Sequence, residues 1–100
     1  MENLDLLQNL MLGEGGFLIK LRFGDGIELD QVEKIKELLK QLACEWRRKD
    51  YIPKKACDIF IDFYPAMEGT LTLYNDDEVN NITKIADEIM DLIRDCVCNY

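Results

Sequence analysis

The chain has 100 residues, of which 48% are hydrophobic and 32% charged, and its formal net charge is −8. This composition is typical of one small globular domain and argues against a disordered chain. The excess of acid, with a pI near 4.4, argues against nucleic acid or an anionic membrane surface as the main partner, because both repel a net anion.

The start of the chain lacks the pattern of a secretory signal. Residues 1–5 contain two acidic residues, and polar residues interrupt their apolar ones. A signal has a basic beginning and a continuous apolar stretch. The apolar runs elsewhere are a few residues long, far below the roughly 18 that a membrane span requires. We therefore expect a cytoplasmic protein, in which disulfides are rare.

Four cysteines and the lack of histidine bear on metal and redox chemistry. The chain has no Cys-x-x-Cys pair, which is the spacing typical of zinc sites. We expect Cys44 and Cys57 to be small core residues. Cys96 and Cys98 lie near the C-terminus, where we expect exposure, and a redox role for them is the alternative. No metal and no cofactor is expected.

The first quarter of the chain predicts a helix and then a strand. Leucines at helical spacing predict a short helix over residues 3–12, and the glycine-rich segment 13–16 ends it. Residues 17–23 alternate in the manner of a strand with one buried face. Glycines at 24–26 predict a turn, and residues 27–29 are a candidate short strand that pairs back as a hairpin.

A long amphipathic helix is predicted next, over residues 31–49. Asp30 is its expected N-cap, and its apolar residues recur at intervals of three and four. Pro53 stops it, because the residue before a proline is pushed toward an extended conformation.

The second half of the chain predicts a hairpin and a last helix. Residues 57–64 alternate as a second strand, with residues 65–69 as the turn and the β-branched and aromatic residues 70–74 as a third strand. Asn75 and the acidic residues 76–78 favour a helix start, and the apolar stripe of that helix runs over 79–97. The residues of the second strand expected to face the core are Cys57, Ile59, Ile61 and Phe63.

The predicted order α-β-α-β-β-α favours an α+β fold. Its sheet is small, about three-stranded, and the two long helices pack on one face. The β-α-β-β-α portion resembles a ferredoxin-like split β-α-β unit that lacks its last strand. Residues 1–100 are expected to form a single domain.

The negative charge is concentrated in the second half of the chain. Residues 1–57 contain ten acidic and ten basic residues, whereas residues 58–100 contain ten acidic and two basic ones. Asp87, Asp91 and Asp95 recur at intervals of four, which places them on one side of the last helix, with Glu88 beside them. This row is either a solvated face that maintains solubility or an anionic stripe that binds a basic partner.

The predicted sheet adds a second candidate surface. Asp58, Phe60, Asp62 and Tyr64 are expected to face away from the helices, and Tyr74 joins them from the third strand. Aromatic residues bordered by carboxylates are typical of protein interfaces. Two alternatives remain, since the N-terminal helix could cover this face or two copies of the chain could pair through it.

A basic cluster at Arg47, Arg48, Lys49, Lys54 and Lys55 opposes this acidity. Cations are favourable at a helix C-terminus, so we interpret the cluster as a cap followed by a solvated loop. A small-anion site and a salt bridge to the acidic helix are the alternatives.

Catalytic patterns are missing from the sequence. Without histidine there is no Ser-His-Asp or Cys-His arrangement. Residues 13–16 precede a predicted strand, whereas a phosphate-binding loop precedes a helix. Asp58 and Asp62 are roughly 13 Å apart if they lie on a strand, too far to share one metal ion. We therefore expect a binding protein and no enzyme.

In size, charge and residue distribution the chain resembles the small acidic immunity proteins of bacterial toxin–immunity systems, including contact-dependent growth inhibition. The acidic helix and the acidic strand carry this resemblance. It implies an inhibitor that neutralises a basic toxin, such as a nuclease, by occluding its active site. The alternative is a homodimeric regulatory or small-ligand-binding domain without catalytic activity, so the chain is either a monomer or a homodimer.

Overall fold

The computed structural model describes residues 2–98 and contains helices and turns, with no strand anywhere in that range. The predicted α+β fold is therefore wrong, and the chain is an all-α protein. The elements in chain order are α1 (Glu2–Leu12), α2 (Phe17–Arg22), α3 (Leu29–Trp46), α4 (Lys54–Glu68), a 3₁₀ turn (Leu71–Leu73) and α5 (Asp76–Cys98).

The five helices pack in a closed ring of neighbours. α1 packs on α3, α3 on α5, α5 on α4, α4 on α2, and α2 on α1. The interior is filled by apolar side chains from every helix, including two stacked aromatic rings, Phe17 of α2 and Phe63 of α4, with centroids 6.0 Å apart. Met1, Asn99 and Tyr100 lie outside the described residues, so the predicted single domain is described over residues 2–98.

The three helices predicted from periodicity are confirmed. α1 and α5 begin and end close to the expected residues, whereas α3 begins two residues before its expected start and ends three residues before its expected end. Gly13 follows the last residue of α1, and only glycine fits there, because a Cβ would meet the carbonyl oxygen of Asn9 at 2.6 Å. Asp30 lies in the first turn of α3, and the N-cap is Glu28 instead.

The acidic start predicted for α5 is a reciprocal cap. The amide of Glu78 donates to Oδ1 of Asn75 at 2.8 Å, and the amide of Asn75 donates to a carboxylate oxygen of Glu78 at 3.4 Å. Together the two contacts satisfy backbone donors that the first turn of a helix leaves free.

The predicted first strand is the short helix α2. Its buried residues are Phe17, Leu18 and Leu21, and Leu21 lies four residues after Phe17 and three after Leu18, which are the spacings of one side of a helix. A strand would have buried Phe23, which is an exposed residue here. The run has apolar residues on both predicted strand faces, so its alternation did not distinguish a strand from a buried helix.

The predicted second strand and the turn after it form one continuous helix, α4. Its buried residues recur at helical intervals and continue past Pro65, which was expected to turn the chain. They are Ala56, Ile59, Phe60, Phe63 and Met67.

The predicted third strand is the 3₁₀ turn and its flanking residues. Thr70 is buried, and its hydroxyl donates to the carbonyl oxygen of Met67 at 2.7 Å. A threonine hydroxyl that bonds the backbone locally competes with strand pairing, so Thr70 stabilises a turn instead.

Three of the cysteines lie where the sequence did not predict them. Cys44 and Cys57, expected in the core, are exposed, and Cys96, expected at the surface, is buried. Cys98 is exposed as expected. In α5 the buried face ends on Cys96, while Val97, the more apolar residue, is half exposed.

Candidate protein-binding surface

The exposed side of α4 presents an apolar residue beside two carboxylates. Ile61 is 71% exposed, and Asp58 and Asp62, one helical turn apart, are exposed on the same face of the helix. Asp58, Ile61 and Tyr64 follow one another at intervals of three, so they form a slanting row across this face. The row ends at Tyr64, beside α5.

Tyr64 forms one wall of an open groove between α4 and α5. The groove has a volume of about 560 Å³, and its other lining residues come from α5: Asp87, Met90, Asp91 and Arg94. Tyr64 is half-buried. The pKa of its phenol is raised by desolvation and by the negative charges of Asp87 and Glu68. The phenol therefore remains a neutral donor beside a carboxylate at physiological pH.

The acidic row of α5 divides between two sides of the helix. Positions four apart in an α-helix advance by about 40° around its axis, so the row drifts from the α4 side toward the α3 side. Asp87 and Asp91 line the groove with Tyr64, whereas Asp95 lines a separate groove of about 270 Å³ with Lys40 and Arg47 of α3.

Basic side chains of the protein itself meet part of this row. Nζ of Lys36 lies 3.3 Å from a carboxylate oxygen of Glu88, and a guanidinium nitrogen of Arg94 lies 3.2 Å from Asp91. Both pairs are exposed enough that each contributes only about 0–1 kcal/mol. Asp87 forms no ion pair with any residue in the described part of the chain.

Two of the predicted binding residues do not belong to this surface. Phe60, predicted on an open sheet face, is buried with its ring edge-on to Trp46, at a centroid distance of 6.4 Å. Trp46 of α3 supplies part of this cover. The hydroxyl of Tyr74 donates to the carbonyl oxygen of Leu21 at 2.8 Å and accepts from the amide of Gly26 at 3.1 Å, so it joins two turns of the fold.

We call the accessible residues of this face the α4–α5 surface. It consists of Asp58, Ile61, Asp62, Tyr64, Asp87 and Asp91. Five of these residues were predicted for binding, although on a sheet that does not exist, and Glu88 and Asp95 border the set on the α3 side. Ile61 was assigned to the core. The sequence does contain a signal for its exposure. Ile59 and Phe60 lie four and three residues before Phe63, as on one face of a helix, and Ile61 does not fit this spacing.

The residues of the basic cluster also face different parts of the fold. Lys55 forms an ion pair with Asp5 of α1, and Arg47 faces Asp95 across the α3–α5 groove. The ion pair lowers the pKa of Asp5, through the hydrogen bond from Lys55 and then its positive charge.

No cluster of three or more cysteine, aspartate or glutamate side chains within residues 2–98 is arranged to hold a metal ion. None of the helices described is both long and apolar enough to cross a membrane. No protein-family model matches this chain, and no curated protein or solved structure is similar to it.

Proposed function

We propose that this chain is an acidic inhibitor that binds a basic protein through the α4–α5 surface. The toxin–immunity systems supply the type of partner, a basic nuclease toxin whose active site the inhibitor occludes. The observation that carries the proposal is the exposed Ile61, which lies between Asp58 and Tyr64 in the row on α4. Asp62 is exposed on the same helix, and Asp87 lines the groove with Tyr64.

Each part of the surface has a distinct role in such a complex. The carboxylates pair with the lysine and arginine side chains that a nuclease uses to hold phosphate groups, and so compete with its substrate. Ile61 and Tyr64 supply the apolar centre, since a few well-packed anchors carry most of the binding energy in protein interfaces. The surrounding carboxylates form a charged rim that steers the encounter.

The distribution of charge supports this direction of binding. α4 and α5 together carry ten acidic and four basic residues. A basic partner is attracted to this side of the molecule over a Debye length of about 10 Å at 0.1 M salt. Such steering raises association rates by roughly 10–10³-fold.

Co-purification from the native host tests the proposal. Tagged wild-type protein is compared at low and high salt with the triple variant Asp58→Asn, Asp87→Asn, Asp91→Asn. The matched control is Asp30→Asn, Glu33→Gln, Glu37→Gln, which removes the same charge from exposed positions of α3.

We expect one basic protein to co-purify with the wild type and the control at low salt. The α4–α5 variant should bind this protein at least about tenfold more weakly. The purified partner should have nuclease activity that the wild-type protein abolishes. Equal loss of binding in both triple variants would contradict a specific surface, because total charge alone would then explain the effect.

A homodimeric regulatory domain remains the competing proposal. The sheet face and edge strand through which such a dimer was expected to form are lacking in residues 2–98. A dimer that resists high salt, with no basic protein bound, would therefore contradict the inhibitor proposal and require a helical interface.

A further inference from the structure

The groove between α4 and α5 is lined by an aromatic ring, a thioether and carboxylates. Its volume of about 560 Å³ lies within the range of about 300–1,000 Å³ that ligand sites occupy. Tyr64 forms the α4 wall. The residues that line it from α5 follow one another at helical intervals along one side of that helix: Asp87, Met90, Asp91 and Arg94.

One carboxylate in the groove has no basic partner. Arg94 pairs with Asp91 at 3.2 Å, whereas Asp87 forms no ion pair with any residue of the described range 2–98. Lys84 lies one turn before Asp87 on α5 but does not line the groove. The groove therefore keeps an unpaired negative charge, which favours a cation as its occupant.

Tyr64 gives the groove an aromatic wall that stays uncharged. Its side chain is half-buried. Desolvation raises the pKa of the phenol, and the charges of Asp87 and Glu68 raise it further, so the ring does not ionise near neutral pH. The face of a tyrosine ring attracts a cation, and arginine makes this contact more often than lysine does.

An aromatic wall beside a free carboxylate favours arginine over lysine. A guanidinium is planar, so it can stack on a ring while its edge donates two hydrogen bonds to one carboxylate. A lysine ammonium is a compact and strongly hydrated charge without this geometry. Arg94 already places one guanidinium in the groove, on Asp91, which leaves Asp87 for a second.

We propose that this groove binds an arginine side chain of the basic partner, with its guanidinium stacked on Tyr64 and paired with Asp87. The inference rests on the proposed function for the identity of the partner, and it names the side chain that the α4–α5 surface recognises. The methylene groups of the arginine lie against Met90, because long cationic side chains bury their stems along apolar surface.

Single-residue probes test the groove without the partner. N-acetyl-arginine methylamide is titrated into isotope-labelled protein, and the backbone amide signals are followed by NMR. The lysine and citrulline methylamides are the controls, since citrulline has nearly the shape of arginine and no charge. We expect the arginine probe to shift the signals of Tyr64, Asp87 and Met90 saturably, with a dissociation constant on the order of 10 mM. The lysine probe should bind at least about threefold more weakly, and the citrulline probe at least about fivefold.

Two pairs of variants separate the roles of charge and ring. Asp87→Asn should weaken arginine binding to the level at which the wild type binds citrulline. Asp62→Asn removes an exposed carboxylate of α4 outside the groove and should change the affinity by less than about twofold. Tyr64→Leu should bind the arginine and lysine probes equally, whereas Tyr64→Phe keeps the ring and should retain the preference. Far-ultraviolet circular dichroism verifies the fold of each variant.

Three results would overturn this inference. The first is the lack of a saturable shift at Tyr64, Asp87 and Met90 with the arginine probe. The second is equal affinity of the wild type for the arginine and lysine probes. The third is arginine binding that Asp87→Asn leaves unchanged, or a preference for arginine that survives in Tyr64→Leu.

The failure of this inference is distinguishable from the failure of the proposed function. If a basic protein co-purifies through the α4–α5 surface but the arginine probe does not bind the groove, the inhibitor proposal stands and the arginine site is wrong. If the probe binds with the expected preference but no basic protein co-purifies, the arginine site stands and the inhibitor proposal is contradicted.

Discussion

Among single residues, Cys96 shows the clearest effect of burial on a titratable side chain. Its side chain is 4% exposed, and its thiol donates to the carbonyl oxygen of Leu39 at 3.3 Å. Burial, with a smaller contribution from the charge of Asp95, raises the pKa of the Cys96 thiol to about 12. A thiol that stays protonated and buried is a poor nucleophile, which argues against a redox role for this residue.

The raised pKa of Cys96 predicts a specific alkaline loss of stability. The unfolded chain releases this proton near pH 9, whereas the folded protein holds it to about pH 12. The stabilisation is therefore fully present below pH 9 and disappears as the pH rises from 9 toward 12. Cys96→Ala should be less stable than wild type at pH 7, and this difference should shrink above pH 9.

Urea unfolding at several pH values measures the effect, with Cys98→Ala as the control. Cys98 is exposed, so its replacement should change the free energy of unfolding by less than about 0.5 kcal/mol at neutral pH. A difference between wild type and Cys96→Ala that stays constant from pH 8 to 11 would contradict a buried, protonated thiol.

At the scale of the element, α4 is the helix whose sequence pattern was most misleading, because it predicted a strand followed by a turn. Pro65 lies inside it, on the exposed side, and has no amide to donate to the carbonyl of Ile61. Because that carbonyl lies on the outer face, solvent is able to hydrate it, which explains how the helix continues past the proline.

Pro65→Ala should therefore stabilise the protein. The alanine restores the missing amide donor and the helix propensity, so we expect the free energy of unfolding to rise by about 1–2 kcal/mol. Pro53→Ala is the matched control, since Pro53 precedes the helix at a φ of −59° that suits proline. That replacement should leave stability unchanged or lower it by up to about 1 kcal/mol. Destabilisation by Pro65→Ala would favour a turn at this position over a continuous helix.

Particular elements explain why part of the fold was predictable from the sequence. α3 and α5 are long enough for apolar residues to repeat over several turns, and a cap at Asn75 marks the start of α5. α2 and α4 are rich in aromatic and β-branched residues, and their apolar runs fit both a period of two and a period of 3.6 over a few residues. Only tertiary packing, such as Phe17 on Phe63, selects the helix.

At the scale of the whole molecule, the sequence predicted the charged residues of the candidate site. It did not predict which helices surround them or which apolar residue is exposed beside them. Asp87 and Asp91 were recognised from their spacing, and they are exposed in the folded protein. The split of the row between α4 and α3 depends on which helices flank α5, and the exposure of Ile61 depends on α4 being a helix. Neither is encoded in the local pattern of residues.

The carboxylates and the apolar residues of the α4–α5 surface should act on different rate constants of binding. Raising NaCl from about 50 to about 500 mM should slow association with a basic partner about tenfold or more, because salt screens long-range attraction. Dissociation should change little, because short-range contacts dominate it. Stopped-flow or surface plasmon resonance measurements with the partner identified by co-purification would give both constants.

Ile61→Ala should show the converse behaviour. The side chain is 71% exposed, so its loss should change the free energy of unfolding by less than about 0.5 kcal/mol. If Ile61 is a buried anchor in the complex, the variant should dissociate about five- to tenfold faster, with the same salt dependence of association as wild type. Leu6→Ala is the control, because Leu6 is also exposed but lies on α1, outside the α4–α5 surface. Dissociation rates that match wild type in both variants would leave charge as the whole basis of binding, and would remove Ile61 from the interface.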